Sequence, residues 1–242
     1  MKQNEIAIAT ITRVRDAEED ILLRESMRSL SQQDIPVVVV DRGSSQDFIS
    51  FLKSLPNSIV LTSSATGLMG QVQLSVATAS ELGTKYILYT ESDKNLFFQT
   101  QLHQFIAEAS GDESTGLFVA ARTPDSFKTF PGYQVYAETV ANELYADMFG
   151  QPGDYCYGPM LISRALVPCL TSIEGDIGWG WRFYLLGVAH KSGYQIVLSA
   201  LDLPCPPESG ERGSELDRAY RIRQLQDNLQ GLLLASAPAL KR

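Results

Sequence analysis

The run Ile87-Leu88-Tyr89-Thr90-Glu91-Ser92-Asp93-Lys94-Asn95 decides how the chain is read. Its first half is an apolar β-type pattern, and its second half turns abruptly polar. Glu91 and Asp93 stand at i and i+2, which in extended backbone puts both carboxylates on one side. Two such groups beyond a buried strand suit a hard divalent cation, Mg²⁺ or Mn²⁺, that completes its shell with water and substrate phosphates. Ser, Asp and Asn are also ordinary turn residues, so on its own the tripeptide reads first as a solvated strand-to-loop turn.

The chain upstream bears on that choice. Ile6-Ala7-Ile8-Ala9-Thr10-Ile11-Thr12, Val37-Val38-Val39-Val40 and Ile59-Val60-Leu61 read as three further strands. Helices are expected between them. Asp16 with Glu19 forms a capping box ahead of Ile21, Leu22, Met27 and Leu30. Ser45 can cap a second helix carrying Phe48, Ile49, Leu52 and Leu55, stopped at Pro56. Thr66-Gly67-Leu68-Met69-Gly70 opens a third, with Val72, Val76, Ala79 and Leu82 on one side and Gly83 at its end. This βαβαβαβ alternation predicts a parallel, doubly wound α/β sheet, whose ligands bind outside the carboxyl ends of the strands. Thr10, Thr12 and Arg13, then Asp41, then Glu91 and Asp93 all fall on that edge.

Downstream, a helix is expected from Phe97 to Ala109 and a strand from Gly116 to Arg122. Tyr136, Val140, Leu144 and Met148 recur at helical spacing, and residues 150–159 form a loop rich in Gly, Pro and Tyr. A helix from Trp181 to Lys191 leads into the strand Tyr194-Gln195-Ile196-Val197-Leu198. After the linker Pro204-Cys205-Pro206-Pro207, Ser214 starts an amphipathic helix with Leu216, Tyr220, Ile222, Leu225, Leu229, Leu232 and Leu233. The reading is one domain over residues 1–242: a nucleotide-binding half (1–95), an acceptor-side half (96–203), and a linker with a closing helix (204–242). That helix is core cover, a lid or a homodimer contact.

Composition narrows the function. The 242 residues are 44% hydrophobic and carry a net charge of −8, enough core for one large domain and too acidic for a nucleic-acid or polybasic membrane surface. Three widely spaced cysteines, Cys156, Cys169 and Cys205, form no metal-type cluster and fit a reducing cytoplasm. No apolar run approaches a membrane span and no secretory segment precedes the first strand, so a cytoplasmic protein is expected.

With these elements in order, the chain resembles the nucleotide-diphospho-sugar glycosyltransferases of the GT-A type. The resemblance rests on strand ends Thr10-Ile11-Thr12 and Val40-Asp41-Arg42-Gly43-Ser44, the Gly67-Leu68-Met69-Gly70 loop, and Glu91-Ser92-Asp93 in the place of the family's DXD. Gln151-Pro152-Gly153-Asp154-Tyr155 and Gly178-Trp179-Gly180-Trp181-Arg182-Phe183 look like acceptor-side segments of the retaining mannosylglycerate and glucosyl-3-phosphoglycerate synthases. Ala200-Leu201-Asp202-Leu203 is placed like the strand that follows them.

The resemblance implies a mainly parallel, Rossmann-like central sheet flanked by helices, and a hexosyltransferase-like activity dependent on Mg²⁺ or Mn²⁺. Its partners would be a nucleotide-diphosphate sugar and a small acceptor. It implies that Asp93 ligates the metal, with Glu91 near it through water or a ribose hydroxyl and Asp202 or Glu208 as a late ligand. Asp41 would meet the nucleobase, Thr10 and Thr12 would line the base and ribose pocket, and Gly70 would let the backbone approach the nucleotide. Ser92 completes the nucleotide set, and Arg13 or Lys94 would neutralise phosphate. Asp154, Tyr155 and Trp179 would touch the acceptor, and Asp176 and Arg182 join Asp93 as catalytic candidates.

The chain also departs from the family. Glu91 is one methylene longer than the usual Asp, and Lys94 stands ready to compete for Asp93. Arg182 occupies the place of an acid in inverting relatives, which favours retention, and it could instead pair with Asp176. The only histidines, His103 and His190, lie on expected helices. Two alternatives are therefore a non-catalytic nucleotide-sugar-binding protein and a sugar-phosphate nucleotidyltransferase. The latter is disfavoured because the first strand lacks a Gly-rich, basic triphosphate loop.

Overall fold

The computed structural model of the chain describes residues 3–63, 67–109, 112–206 and 215–237. The predicted alternation forms as read. Strands β1 (Ile6–Thr12), β2 (Val37–Asp41), β3 (Ser58–Thr62) and β4 (Tyr86–Tyr89) lie parallel, linked by helices α1 (Ala17–Ser31), α2 (Gln46–Ser54) and α3 (Leu68–Glu81). The sheet continues without a break into the second half through β5 (Thr115–Arg122), β6 (Met160–Ser163) and β7 (Gln195–Leu201), in the order β3-β2-β1-β4-β6-β5-β7. β6 runs antiparallel to both β4 and β5, while β5 and β7 are parallel. The carboxyl ends of β1, β2, β4, β5 and β7 therefore share one edge, joined there by the residues entering β6. The four-residue β6 follows a Gly/Pro loop directly, too short for any period to show it in the sequence.

Both sheet faces are covered. Ile6, Ile8, Val37 and Val39 pack with α1, α2 and the pair α4 (Asn95–Thr100) and α5 (Leu102–Glu108). Ala7, Ala9, Ile87 and Tyr89 pack beneath α3 and α9 (Trp181–Lys191). Asp16 and Ser45 cap as read, accepting from the Glu19 and Phe48 amides at 2.8 and 3.2 Å. Glu19 turns back to the Arg15 amide (2.8 Å).

Several expectations are corrected. The helix from Phe97 to Ala109 is two helices, broken at Gln101, where φ is −123°. Ala200 and Leu201 end β7 and form no separate strand. Short helices α6 (Pro124–Lys128) and α8 (Val167–Thr171) were not foreseen. Helix α7 (Gly132–Phe149) forms, but its Tyr136, Val140, Leu144 and Met148 stripe points outward, Tyr136 being 75% exposed. The buried face carries Gln134, Glu138, Ala141 and Tyr145, because the interior beneath α7 is partly ionic. Thr66, Pro207, Glu208 and Ser214 lie outside the described residues.

The last helix, α10 (Glu215–Ser236), lies across the 178–180 turn and α9. A Cβ on either Gly180 or Gly231 would collide with the other segment's backbone, so glycine at both lets the two backbones touch. Among the described residues no helix is long and apolar enough to cross a membrane.

Candidate functional site

A cavity of about 390 Å³ opens at the carboxyl edge of the sheet. Its walls come from the end of β4 (Glu91, Asp93, Lys94), the end of β5 (Arg122), the first turns of α7 (Gln134, Glu138) and the turn into α9 (Trp179, Arg182). Tyr220, Arg221 and Gln224 of α10 close one side. Among the described residues, five cations (Arg15, Lys94, Arg122, Arg182 and Arg221) line the cavity together with four acids (Glu91, Asp93, Glu138 and Asp217), a slight cationic excess on an acidic chain.

The two acids of the opening run have different fates. Glu91 forms an ion pair with Arg182, whose side chain is 4% exposed. Gly158, at the entry to β6, makes room for that carboxylate: its φ is +129°, and a Cβ there would collide with both Glu91 oxygens. Glu91 Oε2, Arg182 Nε and Arg182 Nη2 have no hydrogen-bond partner among the described residues, Nη2 being held only in the ion pair with Glu91. Burial pushes the Arg182 guanidinium down to about 10, partly offset by the Tyr89 and Tyr220 hydroxyls, and it remains a cation at neutral pH. Its Cζ lies 4.5 Å from the centre of the Trp179 ring and 5.6 Å from that of Trp181. Asp93 is exposed and makes no hydrogen bond or ion pair among the described residues. Lys94 does not compete for it; its ammonium sits 4.8 Å over the Tyr157 ring.

Beside this lies a second buried cation with the opposite construction. Arg122 donates to Asp154 through Nε (2.7 Å) and Nη2 (3.0 Å), and to Glu138 through Nη2 (2.5 Å). Phe127 and Phe130 flank its guanidinium at 4.5 Å each. Asp154 also accepts from the Arg122 and Cys156 amides, and Glu138 from Gln134. Burial alone would lower the Arg122 value and raise that of Asp154. Mutual bonding outweighs it, holding the arginine above and the carboxyl below their ordinary ranges. Helix α10 reaches this network through Arg221, 3.7 Å from Glu138. It reaches the neighbouring turn through Tyr220, which accepts from Trp179 Nε1 at 2.8 Å. Burial raises the Asp227 carboxyl, which takes the Trp179 amide at 3.2 Å.

The structure brings together Glu91, Asp93, Lys94, Trp179 and Arg182 of the expected site. The others lie elsewhere. Thr12 and Asp41 are register partners, and Thr12 Oγ1 donates to Asp41 Oδ2 at 2.9 Å. Ser44 adds two further bonds to the same, fully buried carboxylate, so its acceptor capacity is largely filled by the chain. Thr10 is buried in β1, Ser92 is buried after β4, Arg13 is exposed beyond β1, and Gly70 sits in the first turn of α3; none lines the cavity.

For four residues the expected role is corrected. Asp154 is consumed by Arg122, and Tyr155 is fully buried with its hydroxyl on the Gln151 carbonyl (2.9 Å), so neither reaches an acceptor. Asp176 is a cross-chain cap rather than a catalytic group or the Arg182 partner: its carboxylate accepts from the Leu68 and Met69 amides that open α3. Asp202 accepts from Ser126 Oγ at 2.7 Å. No trio of His, Cys, Asp or Glu suited to a metal forms among the described residues.

The residues missed are Arg122, Glu138, Gly158, Tyr220 and Arg221. Arg122 had a usable signal, a charge ending a buried strand on the ligand edge, as Asp41 and Glu91 do. Glu138 and Gly158 had none, since only tertiary packing reveals them.

No family model matches the sequence, and no curated protein matches it. Solved structures do. The chain is similar to glucosyl-3-phosphoglycerate synthase from Mycobacterium tuberculosis in complex with Mn²⁺, UDP and phosphoglyceric acid, with TM-score 0.65 and 17% identity over 97% of this chain and 80% of that one. The same synthase with Mn²⁺, UDP-glucose and phosphoglyceric acid gives 0.67 and 17% over 97% and 81%. Its complex with Mg²⁺ and UDP gives 0.61 and 16% over 95% and 79%. The chain has the GT-A fold.

Proposed function

We propose that the chain is a glycosyltransferase, moving a sugar from a nucleoside-diphosphate donor to a small acceptor with retention at the anomeric carbon. The observation that carries this reading is a carboxylate without a partner among the described residues, Asp93, in a charged cavity at the ligand edge of a GT-A sheet. The ligands named for the similar synthases, UDP, UDP-glucose and phosphoglyceric acid, support a diphosphate donor and an anionic acceptor. Arg221, 3.7 Å from Glu138, and Arg15, paired with Glu19, are further cations on the cavity wall that such an acceptor would meet.

One exposed carboxylate fits a hard divalent cation that takes its remaining ligands from water and phosphate oxygens, so Asp93 would hold Mn²⁺ or Mg²⁺. When bound, the ion would neutralise charge on the diphosphate. The residues of the chain do the remainder. Lys94 and Arg182 hold positive charge where the departing diphosphate becomes more anionic. Trp179 and α10 wall the cavity on the side of the turn into α9. The bond from the sugar's anomeric carbon to the diphosphate oxygen breaks with its electron pair on that oxygen. The acceptor hydroxyl forms the new bond and gives its proton to the departing diphosphate, so no side-chain base is required.

A second reading, a nucleotide-sugar-binding protein without transfer, is favoured by one observation: Glu91 and Asp202 both have protein partners. Thermal shift and product analysis with UDP-, GDP- and ADP-sugars, with and without Mn²⁺, separate the two. Stabilisation with transfer to phosphoglyceric acid or another small acceptor supports the first reading, and stabilisation without transfer or hydrolysis the second. No stabilisation by any nucleotide sugar rejects both.

A further inference from the structure

Glu91 stands where the GT-A resemblance expects a residue at the metal, yet its carboxylate is turned to a buried arginine from the other half of the chain. Three features mark this as built. Gly158 has a left-handed backbone whose missing Cβ leaves the space Glu91 fills. Arg182 sits in the first turn of α9 with its Cζ 4.5 Å from the centre of the Trp179 ring, so its guanidinium is held between that ring and Glu91. A buried guanidinium also satisfies its donors as a rule, and here Nε, on a side chain lining the cavity, has no hydrogen-bond partner.

We propose that Arg182 receives the phosphoryl oxygens of the diphosphate donor, and that Glu91 is the positioning residue that aims it rather than a metal ligand. This rests on the reading that the cavity takes a nucleoside diphosphate. The fork geometry of a guanidinium suits two phosphoryl oxygens at once. One edge of that fork is engaged by Glu91, which leaves the remaining donors for the ligand. Glu91 and Asp93, two residues apart, thereby divide the work: one carboxylate orients a fixed cation and the other stays open to a diffusible one. The donor's diphosphate is preferred over an acceptor anion because Arg182 is tied to the end of β4, two residues from Asp93, whereas Arg15 and Arg221 lie on other elements of the cavity wall.

The test is a set of calorimetric titrations of the full chain with UDP, GDP and ADP, together with a paramagnetic Mn²⁺ titration. Arg182→Met is expected to weaken the preferred nucleoside diphosphate about tenfold or more, the scale of a lost charged hydrogen bond. Glu91→Gln is expected to weaken it severalfold while Mn²⁺ affinity stays at the wild-type value. In the double variant Glu91→Gln/Arg182→Met the losses do not add, because one residue acts through the other. The double variant also removes both charges together, so it serves as the folded reference if Arg182→Met alone leaves Glu91 too costly to bury.

Wild-type nucleotide affinity in Arg182→Met or the double variant overturns the proposal, as does loss of Mn²⁺ affinity in Glu91→Gln. A loss confined to phosphoglyceric acid, with nucleotide binding intact, moves Arg182 to the acceptor and also overturns it. If the wild type binds no nucleoside diphosphate, the glycosyltransferase reading itself fails; if it binds and Arg182 is irrelevant, only this inference does.

Discussion

Arg122 and Arg182 are both buried and line the same cavity, yet they are built in opposite ways. Arg122 has two carboxylates, bidentate bonding to Asp154 and two aromatic rings centred 4.5 Å from its Cζ. Arg182 has one carboxylate, an aromatic stack and a nitrogen with no partner. The first is a finished ion network that ties β5, α7 and the 154–156 loop together. The second is an unfinished one. Because an unpaired buried donor is costly, an unfinished network at a cavity wall points to a ligand that completes it. The same contrast separates the two acidic strand ends: Asp41 is filled by Thr12 and Ser44, whereas Asp93 is open.

The contrast can be broken by experiment. The largest effect is expected from Arg122→Met, which strands Asp154 and Glu138 in the interior and should cost about 3–5 kcal/mol in urea unfolding. The distinction lies in the ligand: Arg122→Met should leave the remaining folded protein's nucleotide affinity near wild type, and a nucleotide loss as large as that of Arg182→Met would erase the distinction between the two arginines. Gly158→Ala should come next. It forces a left-handed backbone on alanine and pushes Glu91 off its seat, for about 1–3 kcal/mol of stability and a measurable loss of nucleotide affinity; unchanged affinity would show that the seat does not matter.

The Arg122 network should also carry a pH signature. The folded Asp154 value is depressed below the unfolded carboxylate, so its contribution is fully present above about pH 4 and fades as pH falls through the folded value. The urea midpoints of Asp154→Asn and wild type should therefore differ most near neutral pH and converge in acid. The smallest effect is expected from Tyr220→Phe, which removes the acceptor of the Trp179 Nε1 bond and should cost about 0.5–1.5 kcal/mol, read through tryptophan fluorescence.

Much of the fold was legible because its first half repeats one pattern. Continuous β-branched runs, helix caps at Asp16 and Ser45 and polar strand ends are local signals, and they sufficed for a parallel sheet and its ligand edge. The second half hid what depends on partners. α7 presents polar Gln134 and Glu138 inward because Arg122 waits there, so apolar periodicity pointed to the wrong face. β6 is too short to show a period. Within the expected site, Glu91, Asp93, Trp179 and Arg182 do line the cavity, but residue type could not say which polar groups were already satisfied. Asp41, Asp154, Asp176 and Asp202 look as available as Asp93 in sequence. Only their hydrogen bonds show that each already holds a partner from its own chain.

A crystal structure of the chain with UDP, or whichever nucleoside diphosphate binds best, together with Mn²⁺ tests the central claim most directly. We expect phosphoryl oxygens within hydrogen-bond distance of the Arg182 guanidinium, Mn²⁺ on Asp93, Glu91 still on Arg182, and Arg122 unchanged between Asp154 and Glu138. A diphosphate bound away from Arg182, or Glu91 swung onto the metal, would contradict the account.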